Sequence, residues 1–180
     1  MFRHVAFLRG IGLGNRRPQG AQLVRIFETL GYVDVASFMA SGNVLLSADQ
    51  QDGRVIQKRA SGALKEQLGY EVDVFVRPAA VVATIARSTP FPDENQGAIN
   101  VNVTFFSEPP AAQVAKALAA VRTDYDRFKF ADRELYWLCR GNMSASTVWQ
   151  RPEVQKLHLP DGTMRNMRTL QKLTAKYLNE

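Results

Sequence analysis

The chain has 180 residues, 46% of them hydrophobic and 22% charged, with 23 Lys and Arg against 17 Asp and Glu and so a formal charge of +6. These proportions exclude a disordered chain, a fibrous repeat and a disulfide scaffold, and at this length folding buries about 70% of the unfolded surface without a covalent staple. The single cysteine, Cys139, allows no internal disulfide, and a lone thiol behind an N-terminus with no secretory apolar run points to a reducing, cytoplasmic setting. No apolar stretch approaches the roughly 20 residues of a membrane span, so no membrane partner is expected.

Phe2 to Leu8 reads as a buried strand, and Arg9 to Gly20 follows as a glycine-rich loop. Leu23, Ile26, Phe27 and Leu30 recur at helical spacing, and Gly31 stops that helix. Val33 to Met39 and Val44 to Ser47 form two strands joined through Ser41-Gly42-Asn43. Asp52 caps a second helix carrying Val55, Ile56, Ala60, Leu64 and Leu68, which Gly69 closes. Val72, Val74 and Val76 then alternate with polar or aromatic neighbours as a strand. The order β-α-β-β-α-β is that of the ferredoxin-like split βαβ unit.

Arg77-Pro78 predicts the start of a short helix reaching about Ala86, and Pro90-Phe91-Pro92 breaks the chain. Ile99, Val101, Val103 and Phe105 alternate with Asn100, Asn102 and Thr104, the pattern of a half-buried strand. Pro109 and Pro110 lead into an alanine-rich helix with Val114, Leu118 and Val121. Phe128 and Phe130 face Leu135 and Trp137 across Ala131-Asp132-Arg133, which predicts a hairpin. The last helix is expected from about Arg165 to Leu178, with Thr163 as its cap and Arg165, Arg168, Lys172 and Lys176 in one basic arc. The fold expected is α+β: a single unit, 1–180, made of a ferredoxin-like half (1–88) and a second β-α-β-β half with C-terminal helices, among them the basic amphipathic one (89–180).

Charge is distributed unevenly. Arg3, Arg9, Arg16, Arg17 and Arg25 precede the first acidic residue, Glu28, and no acid lies between Asp161 and Glu180. Such asymmetry favours an anionic partner, although a solvated basic surface has the same composition. Gly10, Gly12 and Gly14 let backbone N–H groups approach an anion, while Arg9, Arg16 and Arg17 supply charge and forked donors. The loop is neither a dinucleotide fingerprint, since Asn15 stands where the third glycine belongs, nor a P-loop, since Gly-Lys-Ser/Thr is absent. Ser41, Gly42 and Asn43 offer a hydroxyl, open backbone and an amide, and serve equally well as a plain hairpin turn. Arg165, Asn166 and Arg168 open the basic helix, where a capped and solvated surface is the competing reading. His4 and His158 are far apart and Cys139 has no partner cysteine, so no metal and no cofactor are expected. No nucleophile, base or kinase motif nominates a reaction, and no RNA-recognition signature occurs.

Phe7-Leu8-Arg9-Gly10-Ile11, Ser41-Gly42-Asn43-Val44, and Arg165-Asn166 with Thr169 and Leu173 form a combination. It resembles the bacterial family catalogued as domain of unknown function 1697, from Phe2 to about Tyr177. The resemblance implies a cytosolic α+β protein related to ferredoxin-like folds and implies no activity. Gly12, Ala40 and Met167 depart from that pattern, standing where the family has Asn, Gln and Trp.

The expectation is that the glycine-arginine loop, the Ser41-Gly42-Asn43 turn and the Arg165 segment bind one phosphate-bearing anion, a nucleotide or a nucleic-acid backbone. A small-molecule enzyme or sensor acting on an anionic metabolite, and an interaction or oligomerisation domain without a ligand, are the alternatives. Nothing in the chain sets the oligomeric state.

Overall fold

A computed structural model of the protein describes residues 1–12, 14–39 and 42–178. The chain divides into two compact units, Met1–Ile85 with the stretch from Leu173 onward, and Ala86–Lys172. No helix among the described residues is long and apolar enough to cross a membrane.

The first unit begins with β1 (Phe2–Arg9), whose run of small and apolar residues is buried on both faces. Helix α1 (Gly20–Thr29) buries Leu23, Ile26 and Phe27 on one stripe. Strands β2 (Val33–Phe38) and β3 (Asn43–Ala48) follow, then α2 (Gly53–Leu68). At the start of α2 the Asp52 side chain accepts a hydrogen bond from the Arg54 N–H at 2.9 Å. At its end Gly69 takes φ +83 and returns its N–H to the Lys65 carbonyl, a conformation that a side chain would strain. Strand β4 (Asp73–Pro78) completes an antiparallel sheet of order β2-β3-β1-β4. Ala6, Leu8, Val44, Leu46, Val74 and Val76 meet the stripes of α1 and α2 in one core.

Arg77 and Pro78 belong to β4, not to the following helix; α3 is Ala79–Arg87. The β1 ladder continues to His4↔Pro78, and a proline that ends an edge strand leaves no ladder donor unpaired there.

The second unit repeats the plan with β5 (Asn100–Phe106), α4 (Ala112–Ala119), β6 (Asp126–Ala131), β7 (Glu134–Cys139), α5 (Pro152–Gln155) and β8 (Gly162–Asn166). Its sheet order, β6-β7-β5-β8, matches the first position for position, and all its pairs are antiparallel. The protein is therefore an α+β molecule of two ferredoxin-like halves. The hairpin lies where the sequence placed it, with Phe128 opposite Trp137 and Phe130 opposite Leu135. Phe106, Leu118, Phe128, Leu135, Trp137, Cys139, Val148 and Val154 form this unit's core.

The C-terminal expectation needs correction. Thr163, Arg165 and Asn166 lie in β8, and the helix α6 starts only at Met167, running to Leu173 and continuing as a π-helical turn over Thr174–Leu178. Thr163 and Arg165 are buried and Met164 is exposed, which is strand alternation. The true cap is Asn166, whose Oδ1 accepts from the Arg168 N–H at 2.9 Å. Arg168, Lys172 and Lys176 remain as exposed bases on the helix, and Arg165 does not join them.

Register aligns the two sheets residue by residue. In the central strands Ala6 pairs with Val44 and Val76, and Thr104 with Leu135 and Met164. On this alignment His4 corresponds to Asn102, Leu8 to Phe106, and Arg77 to Arg165. Both of those arginines are buried, and each donates from Nη1 to the carbonyl of the preceding residue, Val76 at 3.1 Å and Met164 at 2.9 Å.

Candidate functional site

In the first unit Gly10, Gly12 and Gly14 all have positive φ, at +94°, +84° and +56°. The loop is tied by the Gly12 N–H donating to the Arg16 carbonyl. A Cβ on Gly42 would come within 2.5 Å of Ile11 Cδ1, and the Leu8 N–H donates to the Gly42 carbonyl at 2.8 Å. The loop and the hairpin turn therefore lie against each other. Asn43 is fully buried, and its Nδ2 donates to the Phe38 carbonyl at 2.8 Å, closing the hairpin. Ser41 lies outside the described residues.

The arginines of this loop are not equivalent. Arg9 reaches Asp73 through Nε at 3.1 Å and Nη2 at 2.6 Å and lies over the Phe75 ring, so its charge is already met by a carboxylate. Arg16 covers the Tyr70 ring with its guanidinium 4.8 Å from the centroid. Arg17 is exposed and makes no ion pair among the described residues.

Arg165, Asn166 and Arg168 belong to the second unit. Arg165 is 7% exposed, donates to Thr163 Oγ1 at 2.8 Å as well as to Met164 O, and has its pKa lowered to about 10 by burial. Asn166 lines two recesses, which share it and Asn100, and Arg168 lines one of them. One, of about 300 Å³, has Ser88, Thr89, Gln96, Arg168 and Gln171 among its walls. The other, of about 310 Å³, is lined by Asn100, Asn102, Asn142, Met143, Met164 and Asn166. Among the described residues that line them, Arg168 is the one charged side chain and none is acidic.

Asn100 is held by its Nδ2 donating to the Gly141 carbonyl at 2.6 Å. Asn102 is 3% exposed, and its Nδ2 is buried with no hydrogen-bond partner among the described residues. A buried amide hydrogen without an acceptor costs about 1–3 kcal/mol. The sequence pattern missed this cluster, because alternation assigns Asn100 and Asn102 to a solvated face. The signal available was the number of asparagines: three carboxamides on β5 and β8, two of them cross-strand partners at Asn102↔Asn166.

Cys139 is fully buried, and burial pushes its thiol up to about 12, so it is a packed side chain and no nucleophile. The recesses place amide donors and acceptors beside a single guanidinium among the described lining residues.

The comparisons with known proteins agree with the fold. The chain resembles the solved structure of the conserved bacterial protein SP0830 from Streptococcus pneumoniae, at 16% identity and a TM-score of 0.74 over 99% of each chain. No curated protein matches. The family model described as "Protein of unknown function (DUF1697)" matches residues 1–136, and the chain therefore belongs to that family, domain of unknown function 1697.

Proposed function

We propose that the protein binds a small phosphate-bearing ligand in the second unit, with the phosphate at Arg168 and Gln171 and the uncharged remainder along Asn100 and Asn166. One observation carries this reading: two adjoining recesses with amides and hydroxyls among their walls, and with one cation and no acid among the described lining residues. A guanidinium with no carboxylate in the same recess retains its charge for a ligand anion, and fixed amides beside it give orientation. The test is calorimetric titration of the full chain with inorganic phosphate, ribose 5-phosphate and nucleoside monophosphates at low salt. Saturation at about a hundred times Kd is expected to stabilise the protein by about 2.7 kcal/mol. Arg168→Ala is expected to abolish phosphate-dependent binding. Absence of heat and of any thermal shift with every phosphorylated ligand at millimolar concentration overturns the reading.

A second reading has its own observation. The exposed Arg17, the ring-stacked Arg16 and the three left-handed glycines of the first unit suit a polymer's phosphate backbone. Fluorescence anisotropy with short DNA and RNA over a salt series tests it, since each phosphate contact contributes a slope of about −0.7 to −0.9 in log affinity against log salt. No binding at low salt discards it.

A further inference from the structure

The asparagine recess specifies which part of the ligand it takes, and this inference rests on the ligand-binding reading above. The orientation of its amides is set from the start of α6. The Arg168 N–H donates to Asn166 Oδ1 at 2.9 Å, which fixes the orientation of that amide, and its Nδ2 faces Asn102 Oδ1 at 3.4 Å. Turning Asn102 over would set two NH2 groups against each other. The group of Asn102 left over is therefore its Nδ2, a donor, buried and without a partner among the described residues. Native interiors retain few such donors, and one beside a cavity marks the place of a missing acceptor.

The neighbouring amide has the opposite polarity. Asn100 spends its Nδ2 on the Gly141 carbonyl, which leaves Oδ1 to accept. Asn100 and Asn102 stand two residues apart on one face of β5, about 7 Å between Cα atoms in an extended strand. No charged side chain is among the described residues lining this recess, so it suits an uncharged group. Asn142 is a further wall, and the last two are Met143 and Met164, 44% and 36% exposed. Their unbranched side chains turn easily, and thioether sulfur makes favourable contacts with aromatic rings. In this conformation Asn102 Nδ2 is closed off from water.

We propose that this recess takes the neutral planar heterocycle of the ligand, a ring of the nucleobase class that presents an acceptor to Asn102 Nδ2 and a donor to Asn100 Oδ1. The methionines favour a flat aromatic ring over a sugar, which has hydroxyls but no π face.

The test separates the ring from the phosphate. The full chain is titrated with adenosine, cytidine, guanosine and uridine, which lack phosphate, and with ribose and ribose 5-phosphate, which lack a base. At least one nucleoside is expected to bind where ribose does not, and its monophosphate to bind about tenfold or more tighter than ribose 5-phosphate. Asn102→Leu removes the unpartnered buried donor together with the 3.4 Å contact from Asn166 Nδ2, and its apolar side chain has similar volume, so its thermal midpoint is expected to stay close to that of the unaltered protein while the base-dependent advantage disappears. Its affinity for ribose 5-phosphate is expected to stay unchanged. Equal affinity for ribose 5-phosphate and every nucleoside monophosphate overturns the inference and leaves the phosphate reading standing. Nucleoside binding without any gain from phosphate does the reverse. The ligand comparison on the unaltered protein decides the matter even if Asn102→Leu fails to fold.

Discussion

In the first unit α2 runs 16 residues and lies along β4, whereas the second unit answers it with the four-residue α5 and two single 3-10 turns, Met143–Ala145 and Val148–Gln150. The strand order is the same in both sheets. Beneath α2 the helix-side face of β1 and β4 carries Ala6, Leu8, Val74 and Val76. At corresponding positions β5 and β8 carry Thr104, Phe106, Gly162 and Met164, with Asn102 and Asn166 at the end of the row. A long amphipathic helix requires an apolar face beneath it, while short turns leave part of that face to polar groups. The recess is thus what a crossover with a shortened helix leaves on an otherwise repeated fold.

Asp126 is where this comparison breaks most sharply. Its carboxylate accepts from Trp137 Nε1 at 2.9 Å, Ser146 Oγ at 2.6 Å and Thr123 Oγ1 at 2.7 Å, anchoring a 3-10 turn to the sheet. The matching end of the first sheet is apolar, with buried Ala48 where the second has Cys139. Asp126→Ala leaves those donors without an acceptor and is expected to cost about 3–5 kcal/mol, read as a lower urea midpoint at unchanged slope. A cost below about 1 kcal/mol would show that the second unit does not depend on its polar corner.

Leu64 on α2 and Leu118 on α4 are both fully buried. Each replaced by alanine is expected to cost about 2–5 kcal/mol, although the helices differ in length. A loss confined to Leu64 would make α4 a loosely held cover.

Two corresponding turns sharpen the comparison further. The carbonyl that accepts from the Leu8 N–H belongs to Gly42, and the one that accepts from the Phe106 N–H belongs to Arg133. Gly42 has φ +80 and no room for a Cβ, while the positive φ in the second turn falls on Asp132. Gly42→Ala is expected to cost about 2 kcal/mol through backbone strain and the Ile11 contact, and Arg133→Ala less, both measured by thermal melts.

The smallest effect is in pH dependence and belongs to the second unit. Arg140 hydrogen-bonds Glu94 through Nε at 2.9 Å and Nη2 at 2.8 Å, and Arg127 reaches both Glu94 at 2.7 Å and Asp93 at 2.9 Å. Hydrogen bonds from Arg140 and then Arg127 hold the Glu94 carboxyl below its usual range, and Arg127 does the same for Asp93. Folded values below the unfolded ones give stabilisation that is complete above the ordinary carboxylate range, near pH 4, and lost as pH falls through the folded values. Urea midpoints measured from pH 7 to pH 3 are expected to fall less steeply in Arg140→Ala than in the unaltered protein.

Much of this was legible in the chain. Asp52 and Gly69 bracket α2 because cap chemistry is local, and Phe128 and Trp137 pair because the hairpin turn sets their register. The C-terminal stretch misled because Arg165, Arg168, Lys172 and Lys176 fit a helical arc by spacing alone. Arg165 is buried through strand pairing with Val103, sixty-two residues earlier in the chain, and no local pattern reports that. Asn43 looked available and instead closes its own hairpin. Asn102 looked solvated, since alternation records polarity and cannot show which face another part of the fold will cover.

The outer strands carry a further consequence. In β2 the pairing with β3 shifts register between Val33 and Ala36, and Asp34 sits there at φ +49. In β6, on the other sheet, no shift occurs, but Arg127 and Lys129 stand in the strand. A foreign peptide adding itself as a fifth strand meets a kinked ladder at β2 and the exposed Lys129 at β6. At this edge the two halves resist strand addition by different devices, a kink in one and a charge in the other, so repeating the fold did not require repeating the device.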